Sequence, residues 1–159
     1  MKDFMPVPVS NPVPGLFTYH TRSHFDELDG LNVLHHSRYL RQVERAQQAM
    51  FDHIMETDGF DPNRYVDLYA VVRRLNIDYL ESIRSVVDYQ VLLAVDRLGE
   101  ASLTTRFAFR SRDSGTLYAK GNRTVCHLNT ENHRPCGWST LFRERFTRWE
   151  TAGRALGAI

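Results

Sequence analysis

The chain has 159 residues, of which 42% are hydrophobic, 25% charged and 11% aromatic, which is typical of one compact globular domain and excludes disorder as the main state. Its formal net charge of +1 is too small to favour nucleic acid or an anionic membrane as a partner. The two cysteines, Cys126 and Cys136, are too few for a disulfide framework or a four-thiolate zinc site. With neither a leader nor a membrane-spanning run in the sequence, we expect a cytoplasmic protein.

The N-terminal fifteen residues contain four of the six prolines, which predicts an extended arm over residues 1–15 and a single domain over residues 16–159. Residues 16–23 carry β-branched and aromatic side chains and predict a first strand. Residues 24–36 have neither the helical nor the strand period, so they predict an ordered loop that enters a helix.

A long helix is predicted over about residues 37–56, because this run has no Pro or Gly and places apolar residues on one face. Gly59 and Pro62 supply its exit signal. Four strands joined by short turns are then predicted from alternating apolar residues, and Gly121 in the last of them marks a bulge or a close approach. The inward-facing sets are Leu75, Ile77 and Tyr79; Tyr89, Val91, Leu93 and Val95; and Leu103, Thr105, Phe107 and Phe109.

The C-terminal segment predicts a second helix, in which Trp138, Phe142, Phe146 and Trp149 recur at helical spacing. Such a stripe indicates core or subunit packing more than stacking on bases. Consecutive antiparallel strands with one long helix predict an α+β domain in which the sheet wraps the helix.

Three acids, Asp26, Glu27 and Asp29, lie just before the long helix, and His35 and His36 lie at its first turn. A helix start has unpaired amide donors and partial positive charge, so it can hold a carbonyl oxygen that becomes negative. A nearby carboxylate acting as nucleophile or general base would complete a minimal acyl-transfer site, for which a thioester is well suited. The alternative is that these acids only cap the helix or offset its dipole.

The segment DELDGLNVLHHSRYLRQVERAQQAMF resembles the opening signature of hotdog-fold acyl-CoA thioesterases of the 4-hydroxybenzoyl-CoA thioesterase type. Asp29 and Tyr39 keep the family's spacing, and residues 44–46 match its helical part. The strand segments follow in the family's order, so the resemblance covers about residues 16–146. It implies the hotdog fold, an antiparallel sheet wrapped around one long central helix, here with an extra C-terminal helix.

The resemblance also implies a site. Asp29 takes the position of the catalytic carboxylate, and His36 takes the position whose backbone N–H holds the thioester oxygen, with its imidazole as a second donor or an orienting group. Asn32 stands where the family has Gly, and Asn tolerates left-handed backbone. In this fold the site forms between subunits, which implies a homodimer or a dimer of dimers. The residues expected to contact substrate are Asn32, His35, Tyr39, Arg97 and Ser102.

The function expected is hydrolysis of an acyl-CoA, or of an acyl-carrier-protein thioester, without cofactor or metal. The main alternative is a protein that binds acyl-CoA or acyl-carrier protein without turnover. His20 and His24 stand about 13 Å apart along a strand, which is too far to chelate one ion side by side. Arg97, Arg106 and Arg123 are placed on the outer faces of the strands, where they would steer CoA phosphates or serve as cross-strand partners.

Overall fold

The computed structural model describes residues 13–59 and 61–155. Residues 1–12 of the predicted arm lie outside the described residues. Every predicted strand and helix forms, with boundaries shifted by a few residues, and the loop before the long helix contains one 3-10 turn at Phe25–Glu27. The main elements in chain order are β1 (Phe17–Arg22), α1 (His36–Met55), β2 (Ala70–Tyr79), β3 (Asp88–Leu98), β4 (Ser102–Ser111), β5 (Leu117–His127) and α2 (Thr140–Ala155).

The five strands form one antiparallel sheet in the order β1-β3-β4-β5-β2. Consecutive strands pair along β3, β4 and β5, as the sequence predicts, but β2 pairs with β5 rather than with β3. The segment between β2 and β3 instead bonds to the chain just before α1, through Leu34 N–H to the Ile83 carbonyl at 2.8 Å. This leaves β2 as an edge strand and brings the start of β3 to the start of α1.

The core lies between α1 and the inner face of the sheet. The predicted inward rows of β3 and β4 are buried, and Val43, Ala46 and Met50 of α1 pack on them with at most 1% exposure. The predicted row of β2 is less covered, since Leu75 and Ile77 are half-buried and Tyr79 is 49% exposed. This difference follows from the position of β2 at the open edge of the sheet.

Gly121 is a point of close approach, as predicted. A Cβ at this position would collide with the carbonyl oxygen of Asn76 on β2 and lie 2.8 Å from Cζ of Phe107 on β4. Gly121 therefore lets β5 pack closely against both of its neighbours, β4 and β2.

The aromatic stripe of α2 is packed, which confirms the packing interpretation. Phe142 and Phe146 are each 1% exposed and their rings stack 4.0 Å apart, with Phe51 of α1 against them. Trp138 precedes the helix and stacks on Phe142. None of the helices in the described part of the chain is long and apolar enough to cross a membrane.

Candidate functional site

The acid-rich loop is closed onto the start of α1 by backbone hydrogen bonds. His35 N–H donates to the Glu27 carbonyl at 3.0 Å, and Asp29 N–H donates to the Val33 carbonyl at 2.9 Å. Asn32 has a φ of 57°, so the left-handed turn expected at this position is present. Its side-chain amide donates to Ser85 Oγ at 2.9 Å, which ties the turn to the segment before β3.

The Asp29 carboxylate has one oxygen fixed and one available. Oδ1 accepts from Leu31 N–H at 2.8 Å and from Val33 N–H at 3.4 Å. Among residues 13–59 and 61–155, no donor is bonded to Oδ2. The half-buried side chain is therefore held in one orientation by its own turn, with an oxygen left for another partner.

The start of α1 offers one amide that the protein does not use. His35 is the N-cap, where its Nδ1 accepts from Ser37 N–H at 3.3 Å and its carbonyl accepts from Arg38 N–H at 2.8 Å. The N–H of His36 has no acceptor within the described chain. It stands at the positive end of the helix dipole, where a developing negative charge is stabilised. The His36 imidazole is exposed and lies 4.2 Å from the His35 ring, between centroids.

A buried acid beneath this loop was not singled out from the sequence. Glu27 is 5% exposed, and its carboxylate accepts from His24 N–H at 3.0 Å and from the Gln42 side-chain amide at 3.5 Å. Nearby, burial first and the Glu27 charge second raise the pKa of the Tyr89 hydroxyl far above its usual range. Asp26, Glu27 and Asp29 look alike in the sequence, and only their burial distinguishes the structural acid from the other two.

Tyr39 lies inside the protein instead of lining an open surface. It is 3% exposed and packs between Tyr79 at 5.1 Å and Phe109 at 4.9 Å, between ring centroids. Burial is the main cause that raises the pKa of its hydroxyl. The Tyr79 hydroxyl in turn donates to the His36 carbonyl at 3.3 Å. Tyr39 and Tyr79 therefore pack against each other beside the helix start. The contact of Tyr79 with the helix start was not predicted, because the sequence pattern identifies Tyr79 only as an inward-facing strand residue.

Two expected substrate contacts lie elsewhere in the chain. Arg97 and Ser102 flank the turn between β3 and β4, about 30 Å along the strand from the end of β3 that meets the acid loop, at ~3.3 Å per residue. A single chain does not bring either of them to Asp29.

The placement of Arg123 on an outer strand face is wrong. Its side chain is only 14% exposed and points under α1, where it bonds to Gln47 and, at 3.3 Å, to Glu44. It belongs to the inward row of β5, because its register partners Leu75 and Thr105 lie in the inward rows of β2 and β4. Alternation along the sequence separates the two faces of a strand, but it does not show which face packs against the helix. Arg106 instead pairs with Asp96 at 3.1 Å.

A cavity of about 460 Å³ is lined by the middle of α1, from Glu44 to Phe51, by the sheet and by the first half of α2, and neither Asp29 nor His36 lines it. Glu44 follows His36 by 8 positions, which is about 12 Å along the helix axis at 1.5 Å per residue. Within one chain, the cavity therefore lies beside the acid loop without including it.

Residues 23–146 match the thioesterase-like superfamily. Among solved structures, a thioesterase-superfamily protein from Jannaschia sp. CCS1 is 23% identical, with a TM-score of 0.75 over 93% of this chain and 95% of that one. A 1,4-dihydroxy-2-naphthoyl-CoA thioesterase from Synechocystis is 12% identical, with a TM-score of 0.74 over 84% and 96%. A Staphylococcus aureus protein in complex with CoA is 14% identical, with a TM-score of 0.76 over 91% and 89%. At these identities the likeness establishes the fold, and it confirms the hotdog architecture. The chain has no significant match among curated proteins.

Proposed function

Because the chain belongs to the thioesterase-like superfamily, we propose that it hydrolyses an acyl-CoA thioester to the free acid and CoA. One observation carries the assignment of the site. Asp29 keeps Oδ1 fixed by loop amides and Oδ2 available, on a loop bonded to a helix start whose His36 N–H is unused. This combines a carboxylate and an oxyanion donor, the two groups that acyl transfer requires.

The reaction would begin with the thioester carbonyl oxygen accepting the His36 N–H. Asp29 then acts in one of two ways. As a nucleophile it bonds to the carbonyl carbon, the C–S bond breaks, the thiolate leaves, and water cleaves the resulting anhydride. As a general base it takes a proton from water, whose oxygen attacks the carbon as the thiolate departs. The His35 ring and the Asn32 turn would shape the approach to both groups.

The edge strand β2 is the surface through which we propose a homodimer or a dimer of dimers. Among residues 13–59 and 61–155, no strand pairs with its outer backbone, and Val71 and Val72 are 50% and 49% exposed. Edge strands of this kind are templates for pairing with another chain. An antiparallel pairing would bring the Arg97 and Ser102 end of a second subunit to the Asp29 end of the first. This is how those two residues would contact the same substrate.

The substrate carrier is proposed to be CoA, with acyl-carrier protein as the second possibility, and the site of action is proposed to be the cytoplasm. The CoA complex of the Staphylococcus aureus structural neighbour supports the first choice by fold alone. No cofactor enters the proposed reaction. Within residues 13–59 and 61–155, no group of three His, Cys, Asp or Glu side chains is arranged to hold a metal ion.

The test is a hydrolysis screen from short aliphatic to aromatic acyl-CoAs, with thiol release followed for the wild type and for Asp29→Asn. A catalytic acid or base typically contributes about 10²–10⁴-fold, so we expect a loss of that size with acyl-CoA binding retained. Asp26→Asn is the matched control, because Asp26 is an exposed acid of the same loop. Equal turnover by Asp29→Asn and the wild type would remove Asp29 from the mechanism.

The alternative is an acyl-thioester-binding protein without turnover. It is favoured by the use of Asp29 as the cap of its own turn, a role that a non-catalytic relative would keep. A screen with no hydrolysis of any acyl-CoA, together with measurable binding, would support this alternative.

A further inference from the structure

The segment that follows β5 folds back on this strand and brings a cysteine to a histidine. Leu128 bridges to Pro135, and Cys136 N–H donates to the His127 carbonyl at 3.1 Å. The Cys136 sulfur lies 3.4 Å from Nδ1 of His127. Cys136 is half-buried between the exposed residues Pro135 and Gly137, so a small molecule can reach its sulfur, whereas His127 is only 5% exposed.

The His127 ring is surrounded by hydrogen-bond acceptors. Nε2 lies 3.0 Å from the Val66 carbonyl oxygen, and Nδ1 lies 3.1 Å from the carbonyl oxygens of both Cys136 and Gly137. A carbonyl only accepts, so a neutral imidazole, which has one N–H, would turn an unprotonated nitrogen toward a carbonyl oxygen. The imidazolium satisfies both sides of the ring. Trp138 stacks on it, with centroids 4.8 Å apart, and an indole face stabilises a cation.

The imidazolium has no carboxylate as a partner. In the part of the chain that the structure describes, no acid bonds to either ring nitrogen. Asp67 follows Val66, but its oxygens accept from Ser139 N–H at 2.8 Å and from Ser139 Oγ at 2.7 Å. The titratable side chains of the segment that folds back are exposed, and they are Glu131, His133 and Arg134. The sulfur of Cys136 is therefore the group placed to carry the balancing negative charge.

We propose that Cys136 is a nucleophilic thiolate, held by the His127 imidazolium, and that it forms a reversible mixed disulfide with small disulfides such as that of CoA. A cationic histidine beside a cysteine favours the thiolate, which is the reactive form of this side chain. The opposing interpretation is a purely structural histidine beside a protonated thiol. The choice of CoA disulfide as a probe follows from the proposed function, whereas the chemistry at Cys136 does not depend on it.

The reaction is a thiol–disulfide exchange. The Cys136 thiolate, whose proton is held by His127, attacks one sulfur of the small disulfide. A new S–S bond forms at Cys136 as the S–S bond of the reagent breaks. The displaced thiolate leaves with the electron pair and takes up a proton from solvent. Cys136 is oxidised and half of the reagent is reduced, so no further oxidant is needed.

The first test is to incubate the reduced full-length chain with CoA disulfide or with oxidised glutathione at pH 7, and to locate adducts by mass spectrometry. We expect one adduct per chain, at Cys136, that dithiothreitol removes. Cys126→Ala is the matched control and should keep the adduct, because Cys126 is 8% exposed, whereas Cys136→Ala should lose it. The ratio of the two rate constants shows which disulfide the site prefers. The absence of an adduct, or equally fast reaction at Cys126, would overturn the proposal.

The second test assigns the reactivity to the charge on His127. An ordinary thiol is about 3% thiolate at pH 7, so full ionisation raises the rate constant by up to about 30-fold, and the lower nucleophilicity of a stabilised thiolate offsets part of this gain. We therefore expect His127→Gln, which keeps a donor but no charge, to react about 3- to 10-fold more slowly at pH 7. At pH 10, where ordinary thiols are ionised, the difference should fall below about twofold.

A change in accessibility would instead lower the rate at both pH values, and that result would refute the role of His127. So would a folded His127→Gln that reacts as fast as the wild type at pH 7. If His127→Gln does not fold, nitrogen NMR of the wild-type ring at pH 7 decides the matter. Both ring nitrogens should then carry a proton, and a neutral ring would refute the proposal.

The two proposals fail separately. Asp29→Asn should form the adduct at the wild-type rate, because the reaction needs only Cys136 and His127. A chain that hydrolyses no thioester but forms the adduct at Cys136 would refute only the thioesterase proposal. Hydrolysis of a thioester by a chain that forms no adduct would refute only the role of Cys136.

Discussion

The buried carboxylate of Glu27 is expected to hold the acid loop against the core. It accepts His24 N–H at 3.0 Å and the Gln42 side-chain amide at 3.5 Å, and Gln42 is fully buried. Replacing Glu27 with Ala removes the acceptor of both donors, and the Gln42 amide is left in a fully buried position. The loop that carries Asp29 would then lose a direct tie to α1.

The magnitude follows from these two contacts. A hydrogen bond to a charged group contributes about 1.5–3 kcal/mol, and a buried donor left unpaired costs about 1–3 kcal/mol. The Gln42 contact is long, so it adds at the low end of its range. We expect Glu27→Ala to lower the free energy of unfolding by about 2–4 kcal/mol. Glu27→Gln keeps an acceptor for His24 and should cost about 1 kcal/mol, near the value of one neutral hydrogen bond.

The assay is urea unfolding at pH 7, followed by far-UV circular dichroism and by tryptophan fluorescence. With a slope of about 2 kcal/mol per molar urea, the middle of the usual range, Glu27→Ala should shift the midpoint by about 1–2 M. Asp26→Ala is the matched control, since an exposed acid outside such contacts changes stability by about 0.5 kcal/mol or less. If Glu27→Ala costs no more than Asp26→Ala, the Glu27 carboxylate does not hold the loop.

Two further predictions concern the sheet. Gly121→Ala should lower the free energy of unfolding by at least about 1–3 kcal/mol, because the new Cβ meets the Asn76 carbonyl and Phe107. Gly30→Ala is the control, since a Cβ there meets no atom within 4 Å. Equal urea midpoints for the two variants would contradict the close approach. Burial is the main cause that lowers the pKa of His20 in the folded protein, and the Arg112 charge is the second cause. The neutral form of His20 is therefore favoured by folding. Its contribution to stability is fully present above the unfolded pKa of about 6.5 and is lost as the pH falls through the lowered folded pKa. His20→Asn should therefore reduce the loss of stability between pH 7 and pH 5, and a pH dependence identical to that of the wild type would show that His20 contributes none of it.

The sequence by itself determined the elements and, in β3 and β4, the faces that are buried. Those inward rows, the long helix and the burial of Phe142 and Phe146 follow from local periodicity, which depends only on neighbours along the chain. The close approach at Gly121 follows from the absence of a side chain at that position of the strand. The left-handed turn at Asn32 was predicted from the family resemblance, in which Gly stands at this position, and from the backbone that Asn tolerates. The acid loop before α1 was identified from residue types and from the resemblance to a family.

Contacts between distant segments decided the rest. Alternation shows that Arg123 shares a face with other residues of β5, but only the assembled sheet shows that this face lies under α1. The sequence pattern does not distinguish Asp26, Glu27 and Asp29. The packing of Gln42 and Tyr89, which lie on other elements, buries Glu27 and gives it a structural role. Three features depend on contacts between segments that are distant in the sequence: the pairing of β2 with β5, the separation of Arg97 and Ser102 from Asp29, and the cavity between α1 and α2. A local sequence pattern carries no information on the energies of such contacts.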